Sequence, residues 1–189
     1  MWYEASNNTF KAQEIYLEII ESTPEDSSTM KRLISLYKNN NMPNDAIAML
    51  NKYLEVNQMD EEAWLELCDM YLQKQNYSKA MYCFEELLVA NPLNYQHNIK
   101  YAEILYSQAV ATQNQLSLLE LSRKYFSHAL VLVDDRSDKS VHNNVARALW
   151  GLLKTCKTIH RVHCQKKEDH INQQVLELTQ QRIKEIYES

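Results

Sequence analysis

Apolar and polar residues alternate along most of this chain with the three-to-four-residue spacing of amphipathic helices. The pattern is clearest over residues 64–92, where two apolar stripes flank the polar turn QKQN. The apolar and small positions of this segment are Trp64, Leu67, Cys68, Tyr71, Ala80 and Phe84, and Pro92 closes it. The pattern predicts a pair of antiparallel helices joined by a short turn.

The same residue types recur one interval earlier in the chain. A step of about 34 residues, the tetratricopeptide period, places Met30, Leu33, Ile34, Tyr37, Ala46, Leu50 and Tyr53 in the equivalent positions. Another step back reaches Tyr3, Ala12, Tyr16, Ile19 and Pro24, so the chain is expected to begin inside a repeat whose first helix is mostly missing.

Toward the C-terminus the repeat continues with a change of register. Asn98, Tyr101, Ala102 and Leu105 occupy the next first helix, but Ser122, Phe126 and Ala129 follow eight residues later than the period predicts. We therefore expect an insertion at residues 108–117 that lengthens the loop between the two helices. Farther on, Trp150 and Gly151 match the leucine and small-residue positions weakly, and residues 171–187 read as a final amphipathic helix.

These repeats predict an all-α tetratricopeptide solenoid, because each helix pair is too small to bury its own apolar face and must stack on the next. We predict one solenoid domain over residues 1–189. Its parts are a partial repeat at 1–26, repeats at 27–60 and 61–94, a repeat with an insertion at 95–135, and a degenerate repeat with C-terminal capping helices at 141–189.

Composition supports helices and a cytosolic location. With one glycine and three prolines, the chain has little material for the tight turns of an all-β fold. No apolar run approaches the roughly 20 residues that cross a bilayer, and the N-terminus lacks the features of a secretory signal. The four cysteines lie within helical patterns, so we expect reduced thiols.

The net charge of −5 is unevenly distributed. Residues 136–189 contain 10 Lys and Arg against 6 Asp and Glu, which leaves 10 against 19 for residues 1–135. The acidic part disfavours nucleic acid as a partner, because nucleic-acid binding depends on neutralising phosphates.

One cluster has residue types that bind metals. Cys156, His160 and Cys164 are four residues apart, with His163 beside them, and would share one face of a helix. Structural zinc sites use two separated ligand pairs, and the sequence offers no suitable second pair. We therefore interpret the cluster as a basic, partly exposed helix end and expect no metal and no cofactor. We also find no catalytic motif and predict that the chain is not an enzyme.

The expected functional surface is the groove formed by the first helices of successive repeats, which binds peptides or partner helices in such solenoids. Helical phase places these residues on it: Lys31, Ser35, Lys38, Glu62, Leu65, Asp69, Leu72, Gln96, Ile99, Glu103 and Tyr106. Many tetratricopeptide co-chaperones hold a C-terminal carboxylate here with Lys, Asn and Arg. This chain has Lys31, Ser35, Glu66, Gln96 and Lys100 at the matching positions, and Glu66 would repel that carboxylate.

Several segments together resemble one family. They are AWLELCDMYL, NYSKAMYCFEELLVANPLNY, YAEILYSQ, LSRKYFSHAL and RALWGL, in this order and spacing. They resemble the family of the second subunit of the endoplasmic reticulum membrane protein complex, from about Pro43 to Leu152.

The resemblance implies a non-catalytic tetratricopeptide scaffold, peripheral on the cytoplasmic face of the endoplasmic reticulum membrane. Its partners would be other subunits of that complex, with membrane association through them alone, and the complex inserts tail-anchored and multi-pass membrane proteins. The alternatives are an adaptor or co-chaperone that binds C-terminal peptides, and a zinc-dependent or other enzyme. Affinity purification with mass spectrometry would separate them.

Overall fold

A computed structural model describes residues 9–113, 115–134, 142–163 and 170–188, and these residues are α-helical apart from short turns. Their contacts group the chain into two compact units, residues 1–74 and residues 75–189. The first unit contains four helices in its described part: α1 (Thr9–Ser22), α2 (Ser27–Asn39), α3 (Pro43–Val56) and α4 (Glu61–Gln73). Each packs on the next along the chain. Because the turns are short, neighbouring helices are antiparallel.

The second unit contains five helices in its described part. They are α5 (Tyr77–Ala90), α6 (Tyr95–Ala111), α7 (Leu116–Asp134), α8 (His142–His163) and α9 (His170–Glu188). Successive helices again pack together, and α6 also contacts α8. This last contact places the first helices of two successive pairs side by side.

The repeat is visible in the helix caps. Asp26, Asp60 and Asn94 begin α2, α4 and α6 at the repeat interval of about 34 residues. Each side chain accepts hydrogen bonds from backbone N–H groups of the first turn, such as Ala63 N to Asp60 Oδ1 at 3.2 Å. Such a cap satisfies donors that the helix itself leaves without partners. Pro43 occupies the first turn of α3, as predicted from the sequence.

The turns inside the repeats depend on left-handed residues that are not glycine. Asn41, Gln75 and Gln113 have φ values of 54°, 55° and 61°. Each follows the first helix of a pair, where glycine is the usual choice for this conformation. In these turns Asn and Gln therefore adopt the left-handed backbone conformation, at some steric cost because they have a Cβ atom.

The predicted repeat register is confirmed by burial. The equivalent residues Leu33, Leu67 and Tyr101 are each no more than 3% exposed. Asn98, which stands at a tryptophan position, is also buried, and its Nδ2 donates to the carbonyls of Pro92 and Asn94. After the change of register, Ser122 donates from Oγ to the Ala102 carbonyl at 2.8 Å. The eight-residue displacement of the second helix is therefore correct.

The loop between α6 and α7 has four residues against three between α4 and α5, so the prediction that the insertion lies mainly in the loop is wrong. The added residues extend both helices: α6 has 17 residues and α7 has 19, against 13 in α4 and 14 in α5. Ala109 and Leu119 are fully buried with Ile159, so the extra turns carry a small apolar core of their own. Because these apolar side chains are buried, the added residues are more stable as helical turns than they would be in an exposed loop.

The weak match at α8 is wrong for Trp150. Trp150 is 50% exposed, while its neighbours Ala148 and Leu149 are buried. The core face of α8 therefore lies in a different helical phase from the repeat pattern. Gly151 does occupy a site of close approach, because a Cβ atom built there would lie 2.4 Å from Cζ of Phe126.

In the described part of the chain, no helix combines the length and the apolar character that crossing a bilayer requires. The division of residues 1–189 into the predicted repeats of one domain remains a prediction.

Candidate partner-binding surfaces

A groove of about 710 Å³ opens beside α4 in the first unit. Its lining residues are Lys38, Asn41, Met42, Pro43, Glu62, Leu65, Glu66, Asp69, Met70 and Gln73. The residues from α4 recur at three- and four-residue intervals and therefore share one face of that helix. The lining of the groove combines apolar side chains with three carboxylates, from Glu62, Glu66 and Asp69, and one cation, Lys38.

The two lysines of the predicted groove already have acidic partners within the first unit. Lys38 Nζ lies 2.5 Å from Glu66 Oε1, and Lys31 Nζ lies 2.7 Å from Asp60 Oδ2. Lys31 also lies over the ring of Tyr53, 5.3 Å from its centroid. The hydrogen bond to Asp60 raises the pKa of Lys31 above its ordinary value, so Lys31 stays protonated.

Asp60 is the centre of this cluster. Burial by itself would raise the pKa of the Asp60 carboxyl group. Hydrogen bonds from Lys31, Tyr53 and the backbone N–H of Ala63 outweigh burial and lower that pKa to about 2. Tyr53 Oη donates to Asp60 Oδ2 at 2.7 Å. Asp60 therefore joins α2, α3 and α4 while it caps the last of them.

The predicted groove residues of the first unit fall in two adjoining cavities. Lys38, Glu62, Leu65 and Asp69 line the larger one, and Lys31 and Ser35 line a smaller one of about 140 Å³. Leu72 is half-buried and is not among the residues that line either cavity.

A second candidate surface lies between α6 and α8 in the second unit. This cavity of about 280 Å³ is lined by Glu103, Tyr106, Ser107, Phe126, Arg147, Trp150, Gly151 and Lys154. Arg147 donates two hydrogen bonds to the Glu103 carboxylate, both at 2.5 Å. Lys154 Nζ lies 4.9 Å from the centroid of the Tyr106 ring. Aromatic and cationic side chains thus surround one opening.

Of the four residues predicted for this part of the groove, Glu103 and Tyr106 line the cavity. Gln96 is exposed at the beginning of α6. Ile99 is wrong as a surface residue, because it is 2% exposed and packs with Ala102 and Phe126 in the core. The contact of α6 with both α7 and α8 turns this position inward.

Six lining residues of the cavity were not predicted as site residues, and three of them are exposed side chains of α8: Arg147, Trp150 and Lys154. They share one face of α8 at intervals of three and four residues, and this spacing was available in the sequence. The repeat pattern obscured it, because it assigned Trp150 to the core.

The candidate metal cluster is not assembled in the described residues. Cys156 is fully buried in the core, whereas His160 is exposed, so the expected common face is wrong for this pair. Across residues 9–113, 115–134, 142–163 and 170–188 there is no group of three or more side chains suited to a metal ion. Cys164 and the side chain of His163 lie outside the described residues, as do Lys166 and Lys167, which belong to the predicted basic helix end.

Cys83 in the second unit has a buried thiol. Burial raises the pKa of Cys83 to about 12. This thiol is therefore protonated at neutral pH and is a poor nucleophile. Cys68 in the first unit is likewise buried.

Residues 1–120 match the family model described as the EMC2 TPR-like repeat domain. The chain belongs to this EMC2 family. The match includes every lining residue of the groove beside α4, as well as Glu103 and Tyr106. Arg147, Trp150 and Lys154 lie beyond the matched stretch.

Curated relatives within the EMC2 family carry the corresponding name. The chain is 40% identical over 150 residues to ER membrane protein complex subunit 2-B of Xenopus laevis. The aligned stretch covers 79% of this chain and 46% of the relative. It is 37% identical over 92 residues to ER membrane protein complex subunit 2 of Dictyostelium discoideum, covering 49% of this chain and 29% of that protein. The chain thus spans about half the length, or less, of the curated relatives it matches.

Solved structures confirm the fold class of this EMC2-family chain. The solved MamA AMB-1 structure superposes with a TM-score of 0.58 at 14% identity, covering 98% of this chain and 94% of that one. The C-terminal part of a TPR repeat-containing protein from Cytophaga hutchinsonii gives a TM-score of 0.57 at 15% identity, covering 87% and 65%. The all-α tetratricopeptide solenoid predicted from the repeat pattern is therefore correct.

Proposed function

We propose that this chain is a non-catalytic scaffold component of the endoplasmic reticulum membrane protein complex, on the cytoplasmic face of that membrane. In this role it holds partner subunits and so supports the insertion of tail-anchored and multi-pass membrane proteins. The observation that carries the proposal is the 40% identity over 150 residues to ER membrane protein complex subunit 2-B. We also propose that the chain associates with the membrane only through its partners and that it does not bind nucleic acid.

Exposed apolar side chains in the second unit support a partner-holding role. Val89 is 81% exposed, Leu93 62% and Val131 63%. Val89 also lines an open cleft of about 370 Å³ together with Leu88, Pro92 and Tyr125. Apolar groups grouped around a cleft are typical of surfaces that another protein covers.

The grooves support the same role in a different way. We propose that the predicted residues of the first unit, among them Lys38, Leu65 and Asp69, contact a partner segment in the groove beside α4. The excess of carboxylates over cations in that groove, together with its apolar side chains, favours a segment with basic residues next to an apolar anchor.

Binding of a C-terminal carboxylate in the manner of a co-chaperone is disfavoured. Lys31 and Lys38 already pair with Asp60 and Glu66, and an incoming carboxylate would have to displace these partners. It would also lie close to the charge of Glu62, which lines both cavities of this region.

The test is affinity purification of the tagged chain from cells, followed by mass spectrometry. We expect other subunits of the membrane complex with the wild-type chain. A variant with Val89→Asp and Leu93→Asp should lose them, because charge would enter the cleft at Val89 and the exposed apolar surface at Leu93. Met59→Asp is the matched control, since Met59 is 90% exposed in a turn of the first unit.

Recovery of chaperones, or of neither class, with the wild-type chain would contradict the proposed function. Recovery of the complex with both variants would leave the scaffold role standing and would show that the cleft beside Val89 is not the contact surface.

A further inference from the structure

The outer face of α8 presents a row of cationic side chains around one tryptophan. Arg147, Trp150, Lys154, Lys157 and Arg161 are all exposed. They are spaced by three and four residues in alternation, which places them in one stripe along the helix. We call these five residues the basic stripe.

The helix that carries the basic stripe contributes no acidic side chain of its own. No Asp or Glu occurs between His142 and His163. Of the helices that pack on α8, α6 contributes Glu103, which pairs with Arg147. Lys154 lies over the Tyr106 ring, and an exposed lysine in such a contact keeps donors directed toward solvent.

The cavity beside the basic stripe is suited to a side chain. Its volume of about 280 Å³ lies below the range of about 300–1,000 Å³ that is usual for small-molecule pockets. Trp150 and Tyr106 form aromatic walls, and Gly151, which lacks a Cβ, leaves the Phe126 ring at the floor. One large apolar side chain fits this description.

We propose that the basic stripe binds an acidic peptide segment of a partner protein, with one aromatic or aliphatic side chain of that segment in the cavity. The carboxylates pair with Lys154, Lys157 and Arg161, and the apolar side chain contacts Trp150. Charge complementarity selects an acidic segment, because the stripe has cations at four of its five positions. The proposal goes beyond the scaffold role and holds for whichever complex the chain enters.

An anionic membrane surface is the other class of partner that cations and a tryptophan can attract. The cavity favours a peptide, because a lipid headgroup layer has no protruding side chain to fill a cleft between two helices. Lipid binding is therefore treated as an outcome that would overturn the proposal.

The test uses the full chain and a fluorescein-labelled peptide with a single Phe among Asp and Glu residues. Fluorescence anisotropy should give a Kd below about 100 μM for the wild-type chain at low salt. The variant Trp150→Ala and the double variant Lys154→Glu with Lys157→Glu should each weaken binding about tenfold or more. Lys124→Glu on α7 is the matched control, an exposed charge reversal in the same unit. It should weaken binding no more than about twofold.

Two further arms separate the two parts of the interaction. A peptide with Ala in place of Phe should bind about tenfold more weakly, because the cavity stays empty. Circular dichroism should show that Trp150→Ala folds, since half of this side chain is already in water. Vesicles of phosphatidylserine and phosphatidylcholine should bind less well than the peptide.

The proposal is overturned if the acidic peptide binds more weakly than about 1 mM to the wild-type chain. It is also overturned if the stripe variants bind like Lys124→Glu, if the Phe-to-Ala peptide binds equally well, or if the vesicles bind and the peptide does not.

Discussion

Adding one methyl group at Gly151 tests a close contact between α8 and α7 in the second unit. A Cβ at this position would lie 2.4 Å from Cζ and 2.5 Å from Cε1 of Phe126. Carbon atoms pack best at about 3.5–4.0 Å, so the ring or the helix must move. On its core side the ring has little room, because Phe126 is 1% exposed and packs among Ala102, Ala129 and Leu152, so it can move only toward the cavity that it lines.

Two opposing effects determine the stability of Gly151→Ala. Overpacking of a filled core costs about 1–3 kcal/mol. The higher helix propensity of alanine than of glycine in a helix interior adds about 1 kcal/mol to the free energy of unfolding. We therefore expect the variant to lose about 0–2 kcal/mol of unfolding free energy, although the same exchange normally stabilises a helix.

A double-mutant cycle makes the expectation sharper. Phe126→Leu removes Cζ and Cε1, the atoms that the new Cβ approaches most closely. In that background Gly151→Ala should stabilise by about 1 kcal/mol, so the two sites should couple by about 1–3 kcal/mol. Urea denaturation followed by circular dichroism, with constant m-values across the four proteins, measures the cycle.

The reasoning would be refuted if Gly151→Ala stabilised the otherwise wild-type chain by about 1 kcal/mol. A coupling energy below about 0.5 kcal/mol would refute it as well, because independent sites show couplings of that size.

Three other predictions follow from the described contacts. Asp60→Asn should cost about 1–2 kcal/mol at neutral pH, because it weakens a helix cap and a charge-assisted hydrogen bond. The pKa of Asp60 is lowered to about 2 in the folded chain, from about 3.9 when unfolded, so its contribution is present above about pH 4 and is lost as the pH falls toward 2. The difference between wild type and variant in urea denaturation should therefore shrink over this range, and a constant difference would argue against the assignment. Purified protein should contain no zinc and should keep its melting temperature in EDTA, because Cys156 is packed in the core while His160 is exposed; stoichiometric zinc by elemental analysis would contradict this. In hydrogen exchange, α1 (Thr9–Ser22) should exchange faster than α2 (Ser27–Asn39), since among the described helices of the first unit α1 packs on α2 alone while α2 packs on α1 and α3. Equal protection of the two helices would show that something else covers α1.

The sequence predicted the helices and most of the core, because the repeat constrains them locally. Residues such as Leu33, Leu67 and Phe84 recur at fixed positions, and all are buried. The caps were equally available: Asp26, Asp60 and Asn94 stand at the repeat interval and begin three helices. A helix cap acts over three residues, so the sequence alone contains the information.

The candidate surfaces were only partly predictable. Helical phase placed Lys38, Glu62, Leu65 and Asp69 correctly on one groove, because these positions lie within regular repeats. It failed for Ile99, because α8 packs against α6 and covers that position. The pairing of Lys31 with Asp60 joins two helices, and a pattern within one helix does not reveal it.

The sequence by itself determined that this chain forms antiparallel helix pairs, which residues form most of their core, and which family it belongs to. Helical periodicity and caps act over one or two helical turns, and the repeat and the family are recognised from the identity and spacing of residues along the chain. Only the tertiary structure decided that the insertion extends α6 and α7, that Trp150 faces water, and that the groove lysines already have partners. Each of these depends on which side chains meet across helices, and the free energy of such contacts is set by packing between distant segments.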